Sequence, residues 1–314
     1  MNKFALFLGV CAAAFISAVF VAAQTPQAPV KTSEPLWAFP GPLNESIPST
    51  KRAFSAVQMF DRTMAVDWFP ESHPAMPASV AGRQQQYACG FCHLPQGAGR
   101  SENAALAGLP ADYIIRQVAD MKSGARKPGH PSFGPANNMV ITAKLASDAD
   151  VRDAANYFAR LKYTKHLKIV ESTEAPRTTH NAFVYVFDNS GAREPLGERI
   201  VEGPDDFERF EMRDPNVTFT AYVPLGSTAR GAALAKGDGA ARMACASCHG
   251  ADLKGGPIGP PIAGRLPSSM FRQLHGFQTG TRNGGQAVLM KPVVAGLSQR
   301  DLIDLSVYVA SLEP

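Results

Sequence analysis

The chain has 314 residues, enough for two modest domains, and its apolar fraction of 45% is ordinary for a globular protein. Its formal net charge is only +4 and it contains no basic run, which argues against a nucleic-acid-binding protein. Glycine and proline together make 52 residues, which predicts many loops and few long helices.

The first 23 residues form an apolar segment. Lys3 precedes an apolar run that ends in small residues at Ala23, and the polar Gln24 follows. This pattern predicts a signal peptide over residues 1–23, cleaved after Ala23, and hence an exported, periplasmic protein. An uncleaved membrane anchor is the alternative, because a run of 20 apolar residues is just long enough to span a bilayer. Peripheral association with a membrane is also compatible with this segment.

Residues 24–79 are rich in proline and carry both tryptophans, Trp37 and Trp68. We expect an irregular N-terminal arm that lies over the body of the protein. Burial in an apolar core is the simpler expectation for Trp68, and cover for the edge of a bound group is the alternative.

The segment YACGFCHLPQGAGR, residues 87–100, places two cysteines three residues apart with a histidine directly after the second. On a helix, Cys89, Cys92 and His93 share one face. The two thiols can then form thioethers with the vinyl groups of a haem, while the imidazole binds its iron as the proximal ligand.

The same grouping returns 156 residues later, at Cys245, Cys248 and His249. Two copies predict two covalently attached haem c groups. Two disulfides or a zinc site are alternatives for four cysteines in an exported chain, but neither explains a histidine after both pairs. A thioredoxin-like redox pair needs a βαβ context that the sequence lacks.

The two motifs belong to a longer internal repeat. Residues 113–126 match residues 270–282, and residues 139–161 match residues 290–312. The offset falls from 156 to 151 residues between these two blocks, so the second copy has lost five residues in between. Such a loss is typical of a loop.

This repeat selects candidates for the sixth iron ligand. Met139 and Met290 align with each other, each precedes a predicted terminal helix, and the sequence VLMKP around Met290 indicates a loop. We therefore predict Met139 and Met290 as the distal ligands. His130 is the alternative at the first haem and His275 the weaker one at the second, and either methionine could instead fill a gap in the core.

Together these residues resemble class I cytochrome c twice over, with a helix leading into CxxCH, a middle helix, a methionine segment and a C-terminal helix with an aromatic residue. The pairing is similar to the dihaem cytochrome c4 group. The resemblance implies a mainly α fold with two cytochrome c domains in tandem, the first module at residues 80–165 and the second module at residues 229–314.

The resemblance extends to the segment that orients the proximal histidine. GPPIAG, residues 259–264, is similar to the family's G-P-x-L-x-G, which implies that the carbonyl of Pro260 accepts a hydrogen bond from His249. Ala104 stands at the corresponding place in the first copy. The resemblance implies that its carbonyl accepts the same hydrogen bond, without a proline to stiffen the loop.

Two further features are less specific. Alternating residues within 166–228 predict a small antiparallel β insertion of three to five strands, with FERFEM (207–212) continuing the strand pattern. This β insertion is either a spacer or a docking surface. Arg126 and Arg282 match across the repeat and either neutralise haem propionates or are solvated charges at helix ends.

The sequence thus favours a periplasmic dihaem electron carrier with redox proteins as partners, such as a dehydrogenase, an oxidase or a small electron carrier. The alternative is a haem enzyme, or the cytochrome subunit of a dehydrogenase, in which one haem has an open or displaceable sixth position.

Overall fold

The computed structural model describes residues 45–82, 86–237 and 243–314, and the predicted signal peptide and Trp37 lie outside these ranges. In these ranges, the helices are α1 (Ala56–Phe60), α2 (Ala78–Ala81), α3 (Cys89–His93), α4 (Ala111–Ser123), α5 (Gly134–Leu145), α6 (Asp148–Ala159), α7 (Phe207–Glu211), α8 (Ser227–Ala235), α9 (Ala246–His249), α10 (Pro267–Gln278), α11 (Ala287–Val294) and α12 (Gln299–Ser311). The strands are β1 (Leu167–Glu171), β2 (Glu174–Pro176), β3 (Thr178–Asn181), β4 (Val184–Phe187), β5 (Arg193–Pro195), β6 (Val201–Pro204) and β7 (Phe219–Val223). Within the described part of the chain, no helix has both the length and the apolar character needed to cross a bilayer.

The first module packs α4 and α6 around the helix that carries its CxxCH motif. Ser147 caps α6, because its side chain accepts a hydrogen bond from the backbone N–H of Asp150. The apolar face of α6 then buries Tyr157 and Phe158 in a core with Ile114 of α4. This core fixes α3 in place, because Phe158 lies edge-on to the imidazole of His93, with ring centroids 6.3 Å apart.

The second module is built on the crossing of α8 and α12. Gly231 makes this crossing close, since a Cβ atom there would overlap the carbonyl oxygen of Asp304. Ser298 begins α12 with a capping box that includes Asp301. In the first module, the helix directly before the motif helix is the single turn α2, which is much shorter than α8.

The predicted mainly α fold with a β insertion is confirmed, but the insertion differs in three details. It contains seven short strands instead of three to five. These strands form three small sheets instead of one: the order β1-β7-β6, in which β1 and β7 are parallel, and the antiparallel pairs β2·β5 and β3·β4. The segment FERFEM is helix α7 and not a strand. Asp206 caps it through the N–H of Arg209, and Phe207 and Phe210 stack one turn apart.

The β insertion is joined to the second module by packing and by a buried carboxylate. Ala221 and Val223 of β7 share a buried cluster with Ile303 and Val307 of α12. In addition, buried Glu202 of β6 accepts hydrogen bonds from the N–H and hydroxyl of Ser268, at the start of α10. The β insertion therefore packs against the second module and stabilises α10 and α12.

The β insertion also touches the arm and the first module. Trp68 of the arm is buried as expected, and its indole N–H donates to the carbonyl of Met212 at 2.7 Å. At the tip of the β3–β4 hairpin, Phe183 lies edge-on to Phe133, with ring centroids 6.1 Å apart, directly beside the first residue of α5, Gly134. The β insertion thus holds elements on both sides of the first motif.

Candidate haem-binding sites

The first site is organised by α3, a single helical turn that carries all of CxxCH. The Nδ1–H of His93 donates to the carbonyl of Ala104 at 2.7 Å. Burial lowers the pKa of His93, so the imidazole is neutral at pH 7. With Nδ1 holding the proton, the lone pair of Nε2 is available to a metal.

The second site repeats this arrangement on α9 and the preceding residue, Cys245. The Nδ1–H of His249 donates to the carbonyl of Pro260, again at 2.7 Å, and burial again lowers the histidine pKa. The hydrogen bond that the resemblance implies is therefore present in both copies. Gly259 lies against the imidazole ring, where a Cβ atom would come 2.7 Å from Nδ1.

The motif cysteines are thiols and form no disulfide with one another. Burial raises the pKa of Cys92 and of Cys245, which keeps both protonated at neutral pH. The histidine directly after each cysteine pair, held at Nδ1 by a carbonyl, fits thioether attachment to a haem better than a zinc site or a disulfide.

A cavity of about 160 Å³ lies beside Cys89 in the first module, bordered by α5. Two apolar side chains of α5 beside it, Ile141 and Leu145, are exposed although they are large. Met139 is on the same side of α5 as Thr142 and Ala146, which also line this cavity. The crevice between the motif and α5 thus offers the apolar walls that a haem requires, and the residues fit this cofactor.

In the second module, Met290 and Cys245 pack against the same buried cluster, which includes Val294 and Leu302. The expectation of a methionine loop is wrong in this structure, because Met290 lies within α11 and Met139 within α5. Pro292 lies inside α11 and removes one of its backbone hydrogen bonds.

The histidine alternatives lie in other surroundings. His130 is exposed, and its Nδ1 is 2.7 Å from the hydroxyl of Ser132. His275 stacks on Phe271 within α10, with ring centroids 5.8 Å apart. Each histidine therefore already has a partner on its own segment.

Arg126 and Arg282 meet where the two modules touch, and they are not solvated helix ends. Their backbones form an antiparallel bridge, and the side-chain oxygen of Gln117 accepts from both guanidinium groups, at 2.9 and 2.6 Å. Gln273 accepts a second bond from Arg126, at 2.7 Å. Burial and the nearby Arg282 lower the pKa of Arg126 to about 9. Sequence reasoning assigned no role to the two glutamines, although their match across the repeat was an available signal.

Several known cytochromes are similar to this chain in sequence. Residues 229–313 match the family model described as Cytochrome c. Cytochrome c-554(548) of Halomonas halodenitrificans is 37% identical over 70 residues, which cover 84% of that protein and 22% of this chain. Cytochrome c4 of Azotobacter vinelandii is 28% identical over 240 residues, 89% of its length and 74% of this chain. The crystal structure of reduced recombinant cytochrome c4 from Pseudomonas stutzeri is 24% identical, with a TM-score of 0.46, and covers 72% of this chain and 93% of its own.

A helix-borne CxxCH motif with an oriented histidine, present twice, defines a c-type cytochrome. The chain belongs to the cytochrome c family, as a dihaem, cytochrome c4-like member with two covalently attached haem c groups and a role in electron transfer.

Proposed function

We propose that this protein is a periplasmic electron carrier that passes electrons between redox proteins through two His/Met-ligated haems. The observation that carries this proposal is the duplicated pair His93–Ala104 and His249–Pro260, in which each imidazole is neutral and held at one nitrogen by a carbonyl. When bound, each haem supplies an iron that alternates between the ferrous and ferric states.

The residues of the chain divide into three roles. The cysteines fix the cofactors covalently, the histidines are the proximal ligands, and the methionines are the distal ligands. In the order first haem and then second, the assignments are Cys89 and Cys92 with His93 and Met139, and Cys245 and Cys248 with His249 and Met290.

The placement of the helices supports methionine over histidine. Met290 shares its apolar cluster with Cys245, and the helix of Met139 borders the cavity beside Cys89. His130, by contrast, is exposed and bonded to Ser132. Because a neutral thioether favours ferrous iron, this ligation suits a carrier of relatively high potential.

The arginine pair at the module contact supports a further assignment. Among the described residues, no carboxylate lies at ion-pair distance from Arg126 or Arg282, and the acceptor between them is a neutral amide. Buried Arg282 and half-buried Arg126 are cations that call for anionic partners. We assign them to the haem propionates, whose negative charge they would offset.

The proposed organisation follows from these sites. A signal peptide (1–23) and an N-terminal arm (24–79) precede the first cytochrome c domain (80–165), the β insertion (166–228) and the second domain (229–314). The redox partners are a dehydrogenase, an oxidase or a small electron carrier, and peripheral membrane association is compatible with this role. Covalent attachment supports a periplasmic location, because the cofactors cannot be lost outside the cell.

Distal ligation is tested by removing each methionine from the haem-loaded protein. We expect Met139→Ala to open the first haem, and Met290→Ala the second, to carbon monoxide and cyanide, as read from absorption spectra. Replacement of either by His should lower the potential of that haem and leave the other nearly unchanged. His130→Ala is the control and should change neither spectrum.

Three outcomes would count against these assignments. If His130→Ala disturbs ligation while Met139→Ala does not, histidine is the ligand at the first haem. If the wild-type protein already binds carbon monoxide tightly at one haem, that haem has an open or displaceable position, which favours a haem enzyme or a dehydrogenase subunit over a carrier. A pyridine haemochrome assay that gives fewer than two haems per chain would contradict the attachment sites.

A further inference from the structure

Arg213 reaches from the β insertion to the motif helix of the first haem site. Its side chain is buried, with Nε donating to the carbonyl of Met59 at 2.9 Å and Nη1 donating to the carbonyl of Phe91 at 3.1 Å. The guanidinium also stacks on the ring of Phe91, 3.6 Å from its centroid. Phe91 lies between Cys89 and Cys92, so these contacts fix a cation directly on CxxCH.

The backbone at Arg213 is unusual for this residue type. Its φ of 59° lies in the left-handed region, directly after the last turn of α7, where glycine is the usual residue. An arginine there accepts backbone strain that glycine would avoid. Strain of this kind is found where a particular side chain is required at the position.

Without Arg213, the charged side chains around it would carry a net negative charge. Arg100 pairs with Glu102 at 3.2 Å and with Glu211 at 3.6 Å, which leaves one net negative charge in that group. Arg213 offsets this charge, and none of the described carboxylates lies within ion-pair distance of its guanidinium. Burial lowers the pKa of Arg213 to about 10, which still leaves it protonated at neutral pH.

The second motif lacks this arrangement. The residue that matches Phe91 is Ser247, which is exposed and has no ring on which a guanidinium could stack. In the described part of the chain, the hydrogen bonds and the buried cluster that join the β insertion to the second module involve α8, α10 and α12. The buried cation therefore distinguishes the first haem site from the second.

We propose that Arg213 is a positioning residue that raises the reduction potential of the first haem relative to the second. Ferric haem carries one more positive charge than ferrous haem, and a buried cation beside the motif disfavours the ferric state. In this way the β insertion biases the distribution of electrons between the two haems. This inference rests on haem attachment at Cys89 and Cys92 as proposed above.

The test is a spectroelectrochemical titration of the haem-loaded protein, with the two haems distinguished by their methyl resonances in NMR spectra. We expect Arg213→Gln to move the electron distribution toward the second haem by about tenfold, which is ~59 mV for a one-electron couple. Arg213→Lys keeps the charge and should shift it less. Arg177→Gln removes an exposed cation of the same β insertion and is the matched control, for which we expect no change.

A second variant gives the opposite sign. Glu102→Gln removes the anion that Arg213 offsets and should raise the potential of the first haem, so the inference can be decided even if Arg213→Gln fails to fold. No shift in Glu102→Gln, equal shifts of both haems in Arg213→Gln, or equal effects of Gln and Lys at position 213 would each overturn it. Fewer than two haems per wild-type chain would instead contradict the proposed attachment sites.

Discussion

Gly259 lies against the imidazole ring of His249 in a space that admits no side chain. A Cβ atom there would come 2.7 Å from Nδ1 and 2.8 Å from Cε1. The backbone of Gly259 is also fixed, because its N–H donates to the carbonyl of Cys248 at 3.0 Å. The glycine therefore permits the hydrogen bond that His249 makes to the next residue, Pro260.

We expect Gly259→Ala to displace the ring of His249 and weaken its bond to Pro260. Loss of that bond makes the imidazole a poorer electron donor, so the potential of the second haem should rise. The overpacking should lower the free energy of unfolding by about 1–3 kcal/mol. Redox titration and urea unfolding measure the two effects.

Gly285→Ala is the control for this prediction, since a Cβ atom at Gly285 meets nothing within 4 Å. An unchanged potential and midpoint in Gly259→Ala, matching those of the control, would show that the ring has room to move.

The sequence predicted individual functional residues where those residues lie close together in the chain. The spacing of Cys89, Cys92 and His93 defines a haem motif without any tertiary information, and the similarity around Pro260 indicated its carbonyl as an acceptor. Arg213 could not be predicted, because its partner Phe91 is 122 residues away and no local pattern marks the contact.

Among the elements, β1 completes helix α8. The residue that caps α8 is Gly226, which has no side chain to accept a hydrogen bond. Glu171 of β1 takes this role, since its carboxylate accepts from the N–H groups of Gly226 at 2.7 Å and Thr228 at 2.8 Å. A negative charge at this position also interacts favourably with the helix dipole.

We expect Glu171→Gln to lower the free energy of unfolding by about 1 kcal/mol at pH 7. Desolvation opposes ionisation of Glu171, but the hydrogen bonds from Thr228 and Gly226 outweigh it and lower the pKa below 4.5. This contribution is therefore present above pH 4.5 and is lost as the pH falls through the pKa of the folded state. Urea unfolding at a series of pH values measures it.

The difference between wild type and Glu171→Gln should accordingly shrink below that pKa. Glu174→Gln removes an exposed carboxylate that pairs with Arg193 and should cost little at any pH. A pH-independent difference for Glu171→Gln would mean that packing, not charge, accounts for the effect.

Element prediction succeeded for α6 and α12, where a serine cap precedes acidic first-turn residues or an apolar stripe. It failed for FERFEM, where the spacing of Phe207 and Phe210 and the cap at Asp206 were overlooked signals for a helix. The parallel pairing of β1 with β7 joins segments some fifty residues apart, a contact set by tertiary packing that alternation within each strand does not specify.

Across the whole molecule, the two modules meet through matching residues. The bridge at Arg126 and Arg282 is flanked by the bonds Lys127 N–H to Thr281 O and Asn283 N–H to Ala125 O, both 2.7 Å. The repeat predicted two similar modules. It did not predict which faces of the modules are in contact, because an arginine that matches across the repeat is equally consistent with an exposed, solvated charge.

We expect Gln117→Leu to destabilise this contact by about 2 kcal/mol, because the guanidinium groups of buried Arg282 and half-buried Arg126 lose their shared acceptor. The two modules of the variant should then unfold in two separate transitions, each followed by the absorption of its own haem. The wild type should unfold in one transition. Absorbance and circular dichroism during urea unfolding measure this.

Gln273→Leu is the related control. Gln273 accepts only from Arg126, so its removal should cost less and leave one transition. Equal effects of the two substitutions would show that the shared acceptor is not what couples the modules.

The contacts of Arg213 join residues that lie far apart in the sequence, which has a consequence for the order of folding. They join Arg213 to Met59 across 154 residues and to Phe91 across 122 residues. Because a chain is made from its N-terminus, the first CxxCH exists long before the side chain that covers it. Closing such distant contacts is slow, so we expect the first motif to stay accessible for haem attachment until the β insertion has emerged. The second motif lies after the β insertion in the sequence, so the β insertion has already been made when the second motif emerges.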